Sequence, residues 1–199
     1  MSMLDLIQSR LKLYHPRRIA KKMPEAGVLI AITEQSEPCV ILTKRASKLS
    51  SHSGEIAFPG GKRDPTDRDI VFTALREAHE EVDLHPQQVK IIGQMDEAVS
   101  LHKLKVTPCV GLIPASVKLT ANLGELDCVF KVPLAFFLDG DNRCDHLAQY
   151  QSKARYAPCY LYNDHLIWGL TSYMLMEFLN VALEANIALH ARPEHDAFV

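Results

Sequence analysis

The run Arg76-Glu77-Ala78-His79-Glu80-Glu81 puts three carboxylates and an arginine into six consecutive residues. Ile70, Val71, Ala74, Leu75, Ala78 and Val82 recur at spacings near three and four, with no Gly or Pro between them. That periodicity predicts a helix over residues 69–82. Positions four apart share a helix face, so Glu77 and Glu81 point the same way and Glu80 lies within one turn of Glu77. Like charges gathered this way repel by a few tenths of a kcal/mol, roughly, per exposed pair. A hard divalent cation with a preference for oxygen ligands offsets that repulsion. A glutamate-rich helix alone is an ordinary solvated face. The Gly60-Gly61 turn at a fixed distance upstream shifts the reading toward a metal site beside a glycine loop.

The stretch from Gly60 to Leu84 resembles the Nudix box, G-x5-E-x7-R-E-U-x-E-E-x-G-U, with U aliphatic. Gly61, Arg76, Glu77, Ala78, Glu80, Glu81 and Leu84 fall on the pattern. Three positions depart from it. One extra residue separates Gly61 from Arg76, Asp67 stands at the place of the first Glu, and Asp83 replaces the last Gly. A left-handed helix end suits that Gly, and Asp tolerates the conformation better than most residues. Upstream, Leu42-Thr43-Lys44-Arg45-Ala46, Gly54 and Phe58-Pro59-Gly60-Gly61 are similar to the signature L-L-T-x-R-S-x3-R-x3-G-x3-F-P-G-G of the coenzyme A pyrophosphatase branch. Ala46 and Ser50 depart from that signature, and His52 stands near the missing basic residue. Weaker similarity runs from about Ala26 to Leu183.

The resemblance implies a metal-dependent pyrophosphohydrolase using Mg²⁺ or Mn²⁺. It would split coenzyme A or its acyl derivatives into 3',5'-ADP and (acyl-)4'-phosphopantetheine. The anionic oxygens of a diphosphate repel nucleophiles; divalent ions neutralise that charge and acidify water. Glu77 and Glu81 are the implied metal ligands, and Glu80 is a further ligand or a base. Arg76 orients a box carboxylate, as supporting residues around metals commonly do. Gly61 supplies a carbonyl ligand or only the turn, while Asp67 steadies the loop. Glu125 matches the place of the acid that Nudix enzymes often draw from outside the box, as base or ligand. Arg45 suits bidentate phosphate binding, with His52, Lys103 and Lys105 as further substrate-binding cations. Two other readings stand beside this one. The same chemistry could act on ADP-ribose, a dinucleotide or a nucleoside triphosphate, or the chain could be a nucleotide sensor without turnover; the intact Arg76, Glu77, Glu80 and Glu81 speak against the sensor.

The elements that must position these groups are legible in outline. Leu4, Ile7, Leu11 and Tyr14 predict a short amphipathic helix stopped by Pro16, followed by a basic linker to residue 24. Residues 26–33 and 39–43 read as a hairpin, and residues 44–61 as a long loop ending in a short strand at 55–58. Strands are expected at 89–95, 106–113 and 126–132, with a short helix from Pro133. A hairpin of 146–151 with 157–162, a strand at 165–168 and a last helix at about 170–189 complete the pattern. The last helix carries a broad apolar stripe, read as core, and residues 190–199 read as a loose tail. One α+β domain over residues 1–199 is expected, and the resemblance implies an α/β/α sandwich with a mixed sheet.

Composition agrees. The 199 residues are 47% hydrophobic and 23% charged, with a net charge of −2. Nothing there favours nucleic acid as a partner. The N-terminal residues lack an apolar run, so neither a secretory signal nor a membrane partner is expected and a cytoplasmic location is the default. A small-molecule nucleotide is the expected partner; a homodimer is left open. Five scattered cysteines with no C-x-x-C pair point to reduced, mostly buried thiols rather than structural zinc.

Overall fold

The computed structural model describes residues 1–48, 54–150 and 153–189. In chain order the elements are α1 (Met3–Leu13), β1 (Glu25–Glu34), β2 (Cys39–Arg45), β3 (Ile56–Ala57), β4 (Gly60–Lys62), α2 (Ile70–Val82), β5 (Lys90–Gln94), β6 (Ala98–Val99), β7 (Lys105–Pro114), β8 (Leu126–Pro133), α3 (Leu134–Leu138), β9 (Arg143–Tyr150), β10 (Lys153–Tyr162), β11 (His165–Ile167) and α4 (Gly169–Leu183). Helix α1 begins with a reciprocal cap: the Asp5 amide donates to Ser2 Oγ at 3.1 Å and the Ser2 amide to the Asp5 carboxylate at 2.9 Å.

The main sheet is mixed, with the order β3-β2-β1-β7-β5; β4 adds to β1, β6 to β7 and β8 to β2. Strands β1 and β7 run parallel, with Glu25 opposite Lys105 and Glu34 opposite Pro114. Their neighbours are antiparallel. Strand β1 is covered on both faces, and its side chains alternate between two cores. Leu29 and Ala31 pack with Ala74, Ala78 and Val82 of α2, while Ile30 and Ile32 join Ile7 and Leu11 of α1 and Leu175, Phe178 and Leu179 of α4. The result is a sheet between helical layers. Each fully buried side chain of this size stabilises the fold by about 1.5–3 kcal/mol, so the apolar stripe of α4 is core.

Three expectations are corrected. Helix α4 stops at Leu183, six residues before 189, and Glu184 caps it in the left-handed conformation. Asn180 reaches back to hold the following chain, accepting from the Ile187 amide at 2.7 Å and donating to its carbonyl at 2.8 Å. The hairpin near residue 150 has longer arms: β9 and β10 pair from Arg143–Tyr160 to Tyr150–Lys153 and, with β11, form a separate three-stranded sheet. That register sets Cys144 opposite Cys159, and the two form a disulfide. Cys39, Cys109 and Cys128 are free. Only the pairing of two strands brings Cys144 and Cys159 together, so their sequence spacing carried no sign of it. Among the described residues no helix is long and apolar enough to cross a membrane.

Candidate active site

Strands β1 and β2 part after their turn, and the space beside the start of β1 is taken by β4, with Ala26 opposite Lys62 and Val28 opposite Gly60. Gly60 has φ 156°, and a Cβ there would collide with the Gly27 and Val28 backbone. At Gly61 a Cβ would fall on the Glu77 carboxylate. Gly60 therefore lets β4 lie close against β1, and Gly61 lets its backbone lie directly against the Glu77 carboxylate of α2.

Asp69 starts α2 by accepting the Phe72 amide at 2.7 Å, and Asp83 ends it in the left-handed region at φ 57°. Arg76 ties the preceding loop to the helix. It donates to both carboxylate oxygens of buried Asp67, at 3.0 and 3.1 Å, and to the Lys62 carbonyl at 3.1 Å. Thr73 and the Asp64 amide also donate to Asp67. With Arg76 as the main cause, the Asp67 pKa is held down at about 2. The same guanidinium lies 3.0 Å from oxygens of Glu77 and Glu80. Asp67 thus serves the loop, and its oxygens are committed to donors.

Glu81 is 4% exposed, and its Oε2 accepts the Gly60 amide at 3.0 Å. Burial pushes its pKa up to about 7; the Gly60 bond opposes this, Glu77 and Glu125 reinforce it, and Arg45 opposes it. Burial likewise raises the Glu77 pKa against the pull of Arg76, with Glu80 and Glu125 adding to the rise. Among the described residues the cluster is short of positive charge: Arg76 is shared among several acids, and Glu81 has no ion pair of its own.

Residues distant in sequence complete the site. Asn122 accounts for the position of Glu125. Its amide donates to the Glu81 carbonyl at 2.8 Å, its side chain approaches the Glu80 carbonyl and Glu125 Oε1 at 3.5 Å each, and the Glu125 and Leu126 amides donate to its carbonyl. Asn122 was not among the sequence candidates; the short N-L-G-E segment held no feature that marks it as a cap for a helix 40 residues away. Arg45 ends β2 at a register shift, and its Nε is buried with no hydrogen-bond partner among the described residues. An apolar cavity of about 200 Å³ adjoins Gly60 and Gly61, walled by Phe58, Leu104, Leu170 and Met174 among others.

Glu77, Glu80, Glu81, Glu125, Arg76, Gly61 and Arg45 therefore gather around one end of α2. Lys105 does not join them: its Nζ pairs with Glu25 at 3.0 Å, and Glu25 also pairs with Arg63. Lys103 is exposed at φ 58° in the Ser100–Leu104 turn. Neither lysine is among the main charges acting on Glu77 or Glu81. His52 lies outside the described residues.

The donor set suits a hard cation, because it offers carboxylate oxygens and backbone carbonyls and no thiolate or imidazole. Among the described residues no three of these carboxylates bring their oxygens within 4.8 Å of one another.

A model of the NUDIX domain matches residues 22–121. An uncharacterized Nudix hydrolase, NudL, of Photorhabdus laumondii is 40% identical over 162 residues, covering 80% of this chain and 86% of its own. The NudL of Enterobacter sp. strain 638 is 36% identical over 178 residues, covering 87% and 92%. Among solved structures, a MutT/nudix family protein from Enterococcus faecalis superposes with a TM-score of 0.53 at 14% identity, covering 92% of this chain and 70% of that one. That likeness concerns the fold.

Proposed function

The chain belongs to the Nudix hydrolase family, and from that premise we propose that it hydrolyses the diphosphate of coenzyme A or an acyl-coenzyme A, yielding 3',5'-ADP and (acyl-)4'-phosphopantetheine. Phosphoanhydride cleavage with a divalent cation follows from family membership. The substrate rests on one observation above the others. Arg45, the basic residue shared with the coenzyme A signature, presents an unpartnered buried Nε beside the carboxylate cluster. A diphosphate laid along that edge gives the guanidinium two oxygens to bind.

In this reading Glu77, Glu81 and Glu80, with the Gly61 carbonyl, hold Mg²⁺ or Mn²⁺. Such ions, when bound, polarise phosphoryl oxygens and acidify water. Arg76 keeps Glu77 and Glu80 in place while tethering the loop through Asp67. Glu125, exposed beside Arg45, acts as base or further ligand, held by Asn122. The apolar cavity beside Gly60 and Gly61 receives an uncharged part of the substrate next to its phosphates.

Steady-state rates on coenzyme A, acetyl-coenzyme A, ADP-ribose and a nucleoside triphosphate, with and without Mg²⁺ or Mn²⁺, test the proposal. We expect kcat/KM to be highest for a coenzyme A species, with phosphopantetheine identified by mass. If ADP-ribose or the triphosphate turns over while no coenzyme A species releases phosphopantetheine, the substrate assignment fails and the hydrolase remains.

A further inference from the structure

Helix α2 ends in a second group of metal-ligating side chains that the hydrolytic reading does not use. We propose that His79, Asp83 and His85 form a separate cation site for a borderline transition-metal ion such as Zn²⁺, Co²⁺ or Ni²⁺.

The local fold explains the grouping. His79 and Asp83 are four residues apart and share a helix face. Asp83 then turns the chain through the left-handed region, which brings His85 back beside His79. Each residue offers a ligand atom, and these atoms lie within 4.8 Å of one another. His79 Nε2 stands 3.9 Å and His85 Nε2 3.8 Å from Asp83 Oδ1, and the two rings are 4.3 Å apart between centroids. Ligands on a tetrahedral ion with bonds of about 2.1 Å are roughly 3.4 Å apart. Small rotations of three exposed side chains close that gap without moving the backbone.

Position and chemistry separate this group from the carboxylate cluster. At 100° per residue, roughly, His79 and Asp83 lie on the far side of α2 from Glu77 and Glu81. The carboxylate cluster offers only oxygen and suits Mg²⁺. Two imidazoles and one carboxylate instead favour ions late in the first transition row. The last turn of α2 also presents its carbonyl ends here, and a cation is favoured at that pole of a helix. Three protein ligands leave coordination positions for water, so a bound ion would fasten the helix end to the turn that follows it.

The test uses the full chain, stripped of metal by chelation, carrying Glu77→Gln and Glu81→Gln to silence the carboxylate cluster. Calorimetric titration with Zn²⁺ alone, and the visible spectrum with Co²⁺ alone, should reveal one site that millimolar Mg²⁺ does not displace. Adding His79→Ala or His85→Ala should weaken it at least tenfold; His79→Asn with His85→Gln serves if an alanine variant unfolds. With the native carboxylates, the same histidine substitutions should leave Mg²⁺-supported hydrolysis unchanged. Zn²⁺ affinity that does not respond to either histidine, or no Zn²⁺ binding at all, overturns the proposal. Because binding is read without turnover, its failure leaves the hydrolase reading untouched.

Discussion

Two acidic clusters in this fold differ in their charge balance. The first is the Glu77, Glu80, Glu81 and Glu125 group around α2. The second is Asp96, Glu97 and Glu177, beneath the segment that follows α1. In the second, Asp96 accepts from the Arg17 side chain and amide and from the Tyr14 hydroxyl. Burial opposes its charge, but these donors outweigh that effect and its pKa is held down. Glu97 accepts the Ile19 amide at 2.6 Å and lies 3.9 Å from Arg18. The basic linker thus neutralises two inward-facing acids. Among the described residues the α2 group has only the shared Arg76 and the neighbouring Arg45. Asp96 and Glu97 are supplied with donors by their own chain, whereas Glu81 and, within the second group, Glu177 are buried with few donors among the described residues.

Glu81→Gln or Glu77→Gln should show the contrast most strongly. Removing a ligand to the catalytic ion should lower kcat by about a thousandfold or more while leaving the thermal midpoint nearly unchanged, since a buried charge short of partners stabilises little. A collapse of the midpoint with normal activity in the folded fraction would falsify the metal-ligand role. Arg45→Ala should raise KM for a coenzyme A substrate by about tenfold, the loss of one charged hydrogen-bonding group. An unchanged KM removes Arg45 from the substrate site.

In the second cluster the outcome should invert. Asp96→Asn breaks charged hydrogen bonds to Arg17 and Tyr14, at a cost of about 2–3 kcal/mol in denaturant unfolding, with kcat unchanged. If activity falls and stability holds, the two clusters are not divided as described. The smallest effect concerns pH. Burial, with Asp96 nearby, raises the Glu177 pKa to about 7 despite Arg17. The folded protein therefore binds a proton more tightly than the unfolded chain. Its stabilising contribution is full below the ordinary carboxylate range and is lost as pH rises toward about 7. Thermal midpoints across that window should decline less in Glu177→Gln than in the native chain; parallel profiles would dismiss Glu177 as the source.

Where the chain's chemistry is local, it was readable. Helix α2 was visible because 3.6-residue periodicity and an uninterrupted run both act within a few turns; its Asp69 cap was read as the first helical residue. Asp83 at its end was accommodated as a left-handed residue for the same reason. The last helix was overextended because its apolar pattern continues, while the Asn180 contact that ends it is a side-chain bond to residue 187. Lys105 looked available as a phosphate ligand until the β1–β7 register set it opposite Glu25.

By itself the sequence determined the family, the carboxylate helix, the glycine turn before it and the core-facing stripes, since each depends on neighbours along the chain. Tertiary structure alone decided that Asn122 carries Glu125 to the end of α2, that Arg45 enters the same space with a free Nε, and that Cys144 meets Cys159. It also decided which acids are neutralised. Strand register and layer packing set those distances, and electrostatic interactions follow distance in space rather than separation in sequence.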